Sequence, residues 1–327
     1  MKTYNWGIMG TGNIARKFCN ALHLLDNADI YAVGSRSVEK ARKFAGEFRI
    51  TKAYGSYEEL AADPDVDVIY VATPHTFHLE NVLLALRGGK NVICEKPLAI
   101  NLREVKEMIA EADAGGLFLM EALWPPFQAN YIKAGEIIDS GQLGRVKHIY
   151  GKFAFDDGYN PLRRTFNLSL GGGSILDIGI YPVMDILRFM GKPDGVEARA
   201  YIAPTGADTS TSMIFTYNDG RIAEAFCSFA MPAGICTEIN LEKGNITLSR
   251  GRNIGQHLTV EITGQEPEEM VFSPAAFGFQ YEAAEVMRCL DEGLRESPVV
   301  PHSFSLDLAE LLDMVRKRAG VVYPGHD

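Results

Sequence analysis

With 327 residues, 46% of them hydrophobic and 23% charged, the chain has a soluble globular composition and exceeds what one hydrophobic core usually serves, so two domains are expected. A formal net charge of −10 without a clustered Lys/Arg run argues against a phosphate-backbone binder, and no nucleic-acid partner is expected. No run approaches the roughly 18 uninterrupted apolar residues of a membrane span, and the apolar part of "MKTYNWGIMG" is too short for a signal peptide, so the expectation is a cytoplasmic protein without a membrane partner.

The first elements alternate. "YNWGIMG" reads as a strand, and "NIARKFCNALHLL" carries Ile14, Phe18, Ala21, Leu22 and Leu25 at helical spacing. "ADIYAVGS" and the helical "VEKARKFAGEF" follow, then "VDVIYVATP" with "TFHLENVLLALRGG", and "NVICEKP" with "LREVKEMIAEADAGG". Repeated strand–helix units with short connections predict an α/β fold with a doubly wound parallel sheet.

Where the first strand gives way to its helix stands Gly10-Thr11-Gly12-Asn13-Ile14-Ala15, the GxGxxA form of the dinucleotide fingerprint. Its glycines permit a tight turn and let backbone N–H groups approach a pyrophosphate, which a helix N-terminus also favours. After the second strand, where an NAD site places a carboxylate for the ribose hydroxyl, this chain has Ser35 and Arg36. A guanidinium there can pair with a 2′-phosphate, which favours NADP(H) over NAD(H); the alternative is that Arg36 stacks on adenine or faces solvent. After the fifth strand come Glu95, Lys96 and Pro97, at the sheet edge where ligands of open α/β folds bind. A lysine in that place is otherwise a solvated surface group.

Beyond Glu121 the alternation changes. "VKHIYGKFAF", "VEARAYIA", "TSMIFTY", "IAEAFCSF", "ICTEINLEKGNITLS" and "LTVEIT" read as successive strands, and "FQYEAAEVMRCLDEG" and "SLDLAELLDMVRKRAG" as helices. The loop "FDDGYNPLRRTFN" offers Asp156, Asp157, Arg163, Arg164 and Asn167, suited either to sugar hydroxyls or to a solvated surface. "GGGSILDIGIYP" then places Asp177 and Tyr181 four residues apart, on one face if the segment is helical. Taken alone, Asp177 also fits a helix-start carboxylate and Tyr181 a core tyrosine with its hydroxyl at the surface. Cys19, Cys94, Cys227, Cys236 and Cys289 are odd in number and scattered, which suits reduced core thiols. His75 and His78 form the one close histidine pair, without carboxylate or cysteine at metal spacing, so no metal is expected.

The GxGxxA start, "VATPHTFH", "CEKPLA", "FLMEALW" and "GGGSILDIGIYP" occur in an order and spacing that resemble the Gfo/Idh/MocA oxidoreductase family. "EALW" together with "DIGIYP" is most similar to its dimeric dihydrodiol dehydrogenase and NADP-dependent D-xylose 1-dehydrogenase branch. The tryptophan of that motif is commonly followed by a small residue and then arginine; here it is Trp124-Pro125-Pro126-Phe127.

The resemblance implies a Rossmann domain, residues 1–121, and an α/β domain with a large, mostly antiparallel sheet, residues 122–327, with the last helices able to pack back on the first domain. It implies a homodimer or homotetramer. Cofactor contacts are implied for Gly10, Thr11, Gly12, Asn13, Ile14, Ser35, Arg36, Thr73, Pro74, His75, Glu95, Lys96 and Trp124. Lys96, Tyr181 and Asp177 map onto the family's catalytic groups, with Asp157, Arg163, Arg164, Asp177 and Tyr181 toward substrate. Tyr181 would move the carbinol proton, and the Lys96 ammonium would favour its phenolate. The glycines of "GGGS" would let the backbone pass close beneath nicotinamide and substrate. The implied reaction is hydride exchange with a sugar or vicinal diol such as D-xylose, D-glucose or a trans-dihydrodiol. The alternatives are a ketose, inosose or dicarbonyl reductase and a nicotinamide-sensing regulator without turnover.

Overall fold

The opening strand β1 (Tyr4–Met9) is buried along nearly its whole length, as the central strand of a parallel sheet must be. The computed structural model describes residues 2–250 and 256–327, and these divide into two compact units. One runs through Phe127 and adds Ala275–Leu306; the other is Gln128–Pro274 with Asp307–Asp327.

In the first unit β1 is followed by α1 (Asn13–Leu22), β2 (Ala28–Gly34), α2 (Val38–Phe48), β3 (Lys52–Tyr54), α3 (Tyr57–Ala61), β4 (Val68–Val71), α4 (His78–Arg87), β5 (Asn91–Glu95), α5 (Leu102–Gly115) and β6 (Leu119–Ala122). The six strands are all parallel, in the order β3-β2-β1-β4-β5-β6. The order reverses between β1 and β4, and that switch point is where dinucleotides bind in this topology. Local chemistry agrees with each boundary: Ser37, Ser56 and Asn101 cap α2, α3 and α5 by accepting from the N–H of Lys40, Glu59 and Glu104. Beneath α1, Phe18 stacks on Tyr70 with centroids 3.8 Å apart and tilts against Trp6 at 5.6 Å.

The second unit holds α6 (Ala129–Asp139), β7 (Val146–Asp156), α7 (Ile180–Met190), β8 (Gly195–Ile202), β9 (Asp208–Thr216), β10 (Ile222–Ser228), β11 (Ala230–Leu241), β12 (Gly244–Arg250), β13 (Gln256–Ile262) and β14 (Glu268–Phe272). Its sheet runs β14-β13-β12-β11-β7-β10-β9-β8, antiparallel except for the β7–β10 pair. Leu168–Met190 is long and apolar enough by composition to cross a membrane, but 89% of its apolar 18-residue window is buried within the protein, which makes it a core segment. Then come α8 (Phe279–Asp291), in the first unit, and α9 (His302–Ala319), within which the division between units falls.

The doubly wound sheet and the large, mostly antiparallel sheet agree with the sequence reading. The boundary differs: a cut after Glu121 would split β6, which pairs with β5 through Ala122, and residues 275–306 group with the first unit. The five cysteines are free thiols, four of them buried; burial pushes Cys19 and Cys289 up to about 12.

Candidate active site

The turn from β1 into α1 carries the fingerprint glycines. Gly10 has φ +111°, and a Cβ there would lie 2.9 Å from Ala72 O, so the close passage of the turn beneath the end of β4 demands glycine. At Gly12, the residue before α1, a Cβ would meet nothing within 4 Å. The space at the helix start is therefore open, as a phosphate cradle requires.

Arg36, just past β2, lies over the Phe77 ring at 5.5 Å and borders a cavity of about 490 Å³ with Ser56, Tyr57, Thr73, Pro74 and Phe77. It is the cationic side chain among the described lining residues; Glu58 and Glu80 are the anionic ones. Ser35 is buried, and its hydroxyl oxygen accepts from the Ser37 N–H at 3.4 Å, so it shapes the turn. The turn, the open helix start and this cavity together fit a dinucleotide.

At the ends of β4 and β5, His78 is fully buried with its ring nitrogens 2.9 Å from Thr73 O and Pro97 O. Burial lowers its pKa, the carbonyl acceptors oppose this, and the Lys96 charge lowers it further. The His75 ring meets it edge-on at 5.6 Å, so the histidine pair is a packing contact, and no metal-ligand cluster occurs among the described residues. Lys96, half-buried, precedes Pro97 through a cis peptide. Glu95 accepts a hydrogen bond from the Tyr70 hydroxyl. The Trp124 ring packs edge-on to Phe279 at 6.0 Å.

Two buried acids here had no assigned role in the sequence. Glu121 accepts from Leu98 N–H at 2.9 Å and from the Ser305 hydroxyl at 2.6 Å; burial pushes its pKa up to about 7 against those bonds and the Lys96 charge. Glu282 on α8 is fully buried with neither carboxyl oxygen hydrogen-bonded; burial and the neighbouring Glu95 charge raise its pKa well above the ordinary value, which favours the neutral acid.

The remaining candidates belong to the second unit. In the loop after β7, Asp157 accepts from Arg163 Nη1 at 3.0 Å and from the Thr165 hydroxyl at 2.6 Å. The Phe166 ring is buried against Tyr159 and Phe229 at 5.1 and 6.0 Å. The loop is thus pinned internally and anchored on aromatics, and Asp157 and Arg163 engage each other. Arg164 turns the other way: its Nη2 donates to Asp177 Oδ2 at 2.7 Å, and its Nη1 is buried with no hydrogen-bond partner.

Asp177 lies in a π-helical turn, Ile175–Gly179, that runs directly into α7. Pro182 has no N–H to give to the carbonyl four residues back, and Gly179 sits against Cys227, where a Cβ would come within 2.9 Å of Sγ; both favour a widened turn at this point. Asp177 is buried and Tyr181 half-buried, one widened turn apart, with the Tyr181 ring tilted on Phe153 at 5.5 Å. Two of the glycines before them are demanded by their surroundings within the protein. A Cβ on Gly172 would come within 2.3 Å of Arg164 O, and one on Gly173, at φ +135°, within 2.4 Å of Asp208 Oδ1 and 2.7 Å of the Tyr323 hydroxyl. They are crowded by their own unit.

Residues 4–123 match the model of an oxidoreductase family with an NAD-binding Rossmann fold, and residues 131–247 match the GFO/IDH/MocA C-terminal domain. The chain belongs to the Gfo/Idh/MocA oxidoreductase family. It is 37% identical to the mouse trans-1,2-dihydrobenzene-1,2-diol dehydrogenase over 98% of both chains, and 39% identical to the Xenopus laevis protein of that name over 98% of this chain and 99% of the relative. Among solved structures it is similar to a levoglucosan dehydrogenase in complex with NADH and levoglucosan, with a TM-score of 0.87, 20% identity and 98% of both chains covered. A 3-ketoreductase from Actinomadura kijaniata, in complex with NADP and TDP-benzene, gives a TM-score of 0.85 at 23% identity, covering 97% of this chain and 98% of that one. As a Gfo/Idh/MocA member the protein is an oxidoreductase, and its first unit is an NAD(P)-binding Rossmann domain.

Proposed function

We propose that this protein is an NADP(H)-dependent dehydrogenase acting at a carbinol carbon of a sugar or vicinal diol. The observation that carries the reading is its identity of 35–39%, over nearly the whole chain, to proteins named trans-1,2-dihydrobenzene-1,2-diol dehydrogenase. Preference for NADP(H) rests on Arg36, the cation lining the cavity beyond β2, and on Ser35 standing where a carboxylate would repel a 2′-phosphate.

A bound nicotinamide dinucleotide supplies the hydride exchange. In this reading Tyr181 takes the proton that the substrate hydroxyl must lose as the carbinol is oxidised, and returns it in reduction. An ordinary tyrosine has a pKa of about 10, so the Lys96 ammonium is assigned to favour the phenolate and to hold the reacting oxygen. Arg164 orients Asp177 through their 2.7 Å pair, and the Asp177 carboxylate is assigned to receive a neighbouring substrate hydroxyl. Asp157 and Arg163 act as pins of the loop that carries Arg164.

A panel of aldopyranoses, inositols and vicinal diols, assayed with NADP and NAD by nicotinamide absorbance, tests the reading. Turnover of a polyol with a higher kcat/KM for NADP is expected. Tight cofactor binding with no turnover on any polyol or carbonyl would refute it in favour of a cofactor-sensing protein.

A further inference from the structure

The helical run that carries Asp177 and Tyr181 opens at Ser174, and its first backbone N–H groups have no acceptor within the helix. A helix usually meets this need with a side chain one to three residues upstream. Here the acceptor is Asp208, at the start of β9. Its Oδ2 receives the Ile175 N–H at 2.7 Å, the Ser174 hydroxyl at 2.6 Å and the Thr211 hydroxyl at 3.2 Å. Asp208, Ser174 and Thr211 are all fully buried.

On the other side of the glycine turn stands Tyr323, also fully buried, whose hydroxyl donates to Gly172 O at 2.9 Å. Tyr323 is itself held. Its N–H donates to Asp327 Oδ2 at 2.7 Å, and the Arg316 guanidinium lies 5.3 Å from its ring centroid. Arg316 donates to both oxygens of the Asp327 side chain, at 2.7 and 3.0 Å, and to Asp313 at 2.7 Å. Gly173 thus passes between Asp208 Oδ1 and the Tyr323 hydroxyl with no room for a methyl group.

Burying an aspartate, a tyrosine hydroxyl and a guanidinium is costly, and apolar residues would fill the same volume more cheaply. What the polar set provides that an apolar one does not is directional: three hydrogen bonds fix the height and rotation of the first helical turn. A misplacement of about 1 Å in a reacting group can cost about 100-fold in rate.

We propose that Asp208 and Tyr323 are positioning residues for the reaction, clamping Gly172–Ile175 so that the turn behind it presents Asp177 and Tyr181 in one fixed orientation. The inference rests on the proposed roles of Asp177 and Tyr181.

The test is a double-mutant comparison on the full chain. Tyr323→Phe should lower kcat at least about fivefold, with the dissociation constant for NADP within about twofold of wild type, because the substitution removes one hydroxyl and keeps the ring. In a Tyr181→Phe background its loss should be well below its loss in wild type, because a large part of its effect passes through Tyr181. Hydrogen–deuterium exchange should rise in peptides covering residues 173–181 while β7 and β10 keep their protection. Asp208→Asn, which keeps an acceptor for the Ile175 N–H, should retain most of the kcat that Asp208→Ala loses.

Tyr323→Phe at wild-type kcat, additive losses in the double variant, or equal loss in Asp208→Asn and Asp208→Ala would each overturn the positioning role. Those results accompanied by a crippled Tyr181→Phe leave the proposed chemistry standing. A Tyr181→Phe enzyme with near-normal turnover instead removes the chemistry, and the positioning role with it. If Tyr323→Phe does not fold, the Asp208 pair decides alone.

Discussion

Two glycines in this chain are required for opposite reasons, and exchanging each for alanine separates them. At Gly173 the added methyl would sit 2.4 Å from Asp208 Oδ1 and 2.7 Å from the Tyr323 hydroxyl, on a backbone with φ +135°. Strained backbone of this kind costs about 1–3 kcal/mol, and overpacking a buried site costs about as much again. The sum, about 2–6 kcal/mol, falls on the second unit. At roughly 2–4 °C per kcal/mol for a body of that size, its melting transition should drop by about 5–20 °C. At Gly12 the backbone is φ −76°, ψ −177°, which any residue adopts, and the methyl meets open space. Gly12→Ala should therefore melt within about 2 °C of wild type but bind dinucleotide at least about tenfold more weakly, because the methyl occupies the approach to the helix start. Differential scanning calorimetry and cofactor titration by fluorescence give both quantities. A Gly173→Ala protein as stable as wild type, or a Gly12→Ala protein with full cofactor affinity, would refute the respective assignment.

Tyr181→Phe and Lys96→Ala are each expected to lower turnover at least about 100-fold while cofactor affinity is preserved; steady-state kinetics with fluorescence titration checks this, and near-normal turnover in either removes that residue's role. Arg36→Asp should shift the NADP to NAD ratio of kcat/KM toward NAD, and an unchanged ratio counts against a 2′-phosphate contact. Glu121, pushed up to about 7 in the fold from an ordinary value near 4.5, is protonated more readily when folded than when unfolded. Its contribution to stability is thus present below about pH 4.5 and lost as pH rises to about 7. Melting temperature against pH should fall over that window and fall less steeply in Glu121→Gln, where buried Glu282, Asp185 and Asp208, also raised, keep a slope of the same sign. An unchanged profile would show that Glu121 does not titrate there.

The sequence was most legible where one element declares itself. The strand, the GxGxxA turn and the amphipathic α1 are contiguous, and the structure reproduces them with Gly10 and Gly12 in the expected turn. Short elements did not declare themselves: β3 and α3 have three and five residues, too few for a period to emerge, and β14 is a short strand at the edge of its sheet. The π turn at Asp177 was hidden because Pro182 alone does not specify a widened turn, and the approach of Gly179 to Cys227 shows only once β10 lies alongside. Asp208 and Tyr323 left no local signature at all, since their partners lie 33 and 151 residues away in sequence. The loop residues were found by type but not by pairing: nothing in "RRTFN" tells which arginine serves Asp157 and which serves Asp177.

The first unit is discontinuous in sequence, with Ala275–Leu306 joining residues that precede Gln128. Tyr4 donates to Asp291 at 2.7 Å, and α8 lies against α1. During synthesis, then, the nucleotide-binding half cannot finish when its own sheet has left the ribosome; it must wait for about half the chain to be made before α8 arrives. Until that point the surface of α1 that α8 will cover is exposed to solvent and to chaperones, and a message truncated before residue 275 would yield a sheet with its fingerprint glycines in place but no finished core. Ability to bind dinucleotide should therefore appear late and abruptly in translation, after Gln128–Pro274 of the second unit has emerged and before its closing segment, Asp307–Asp327, is made.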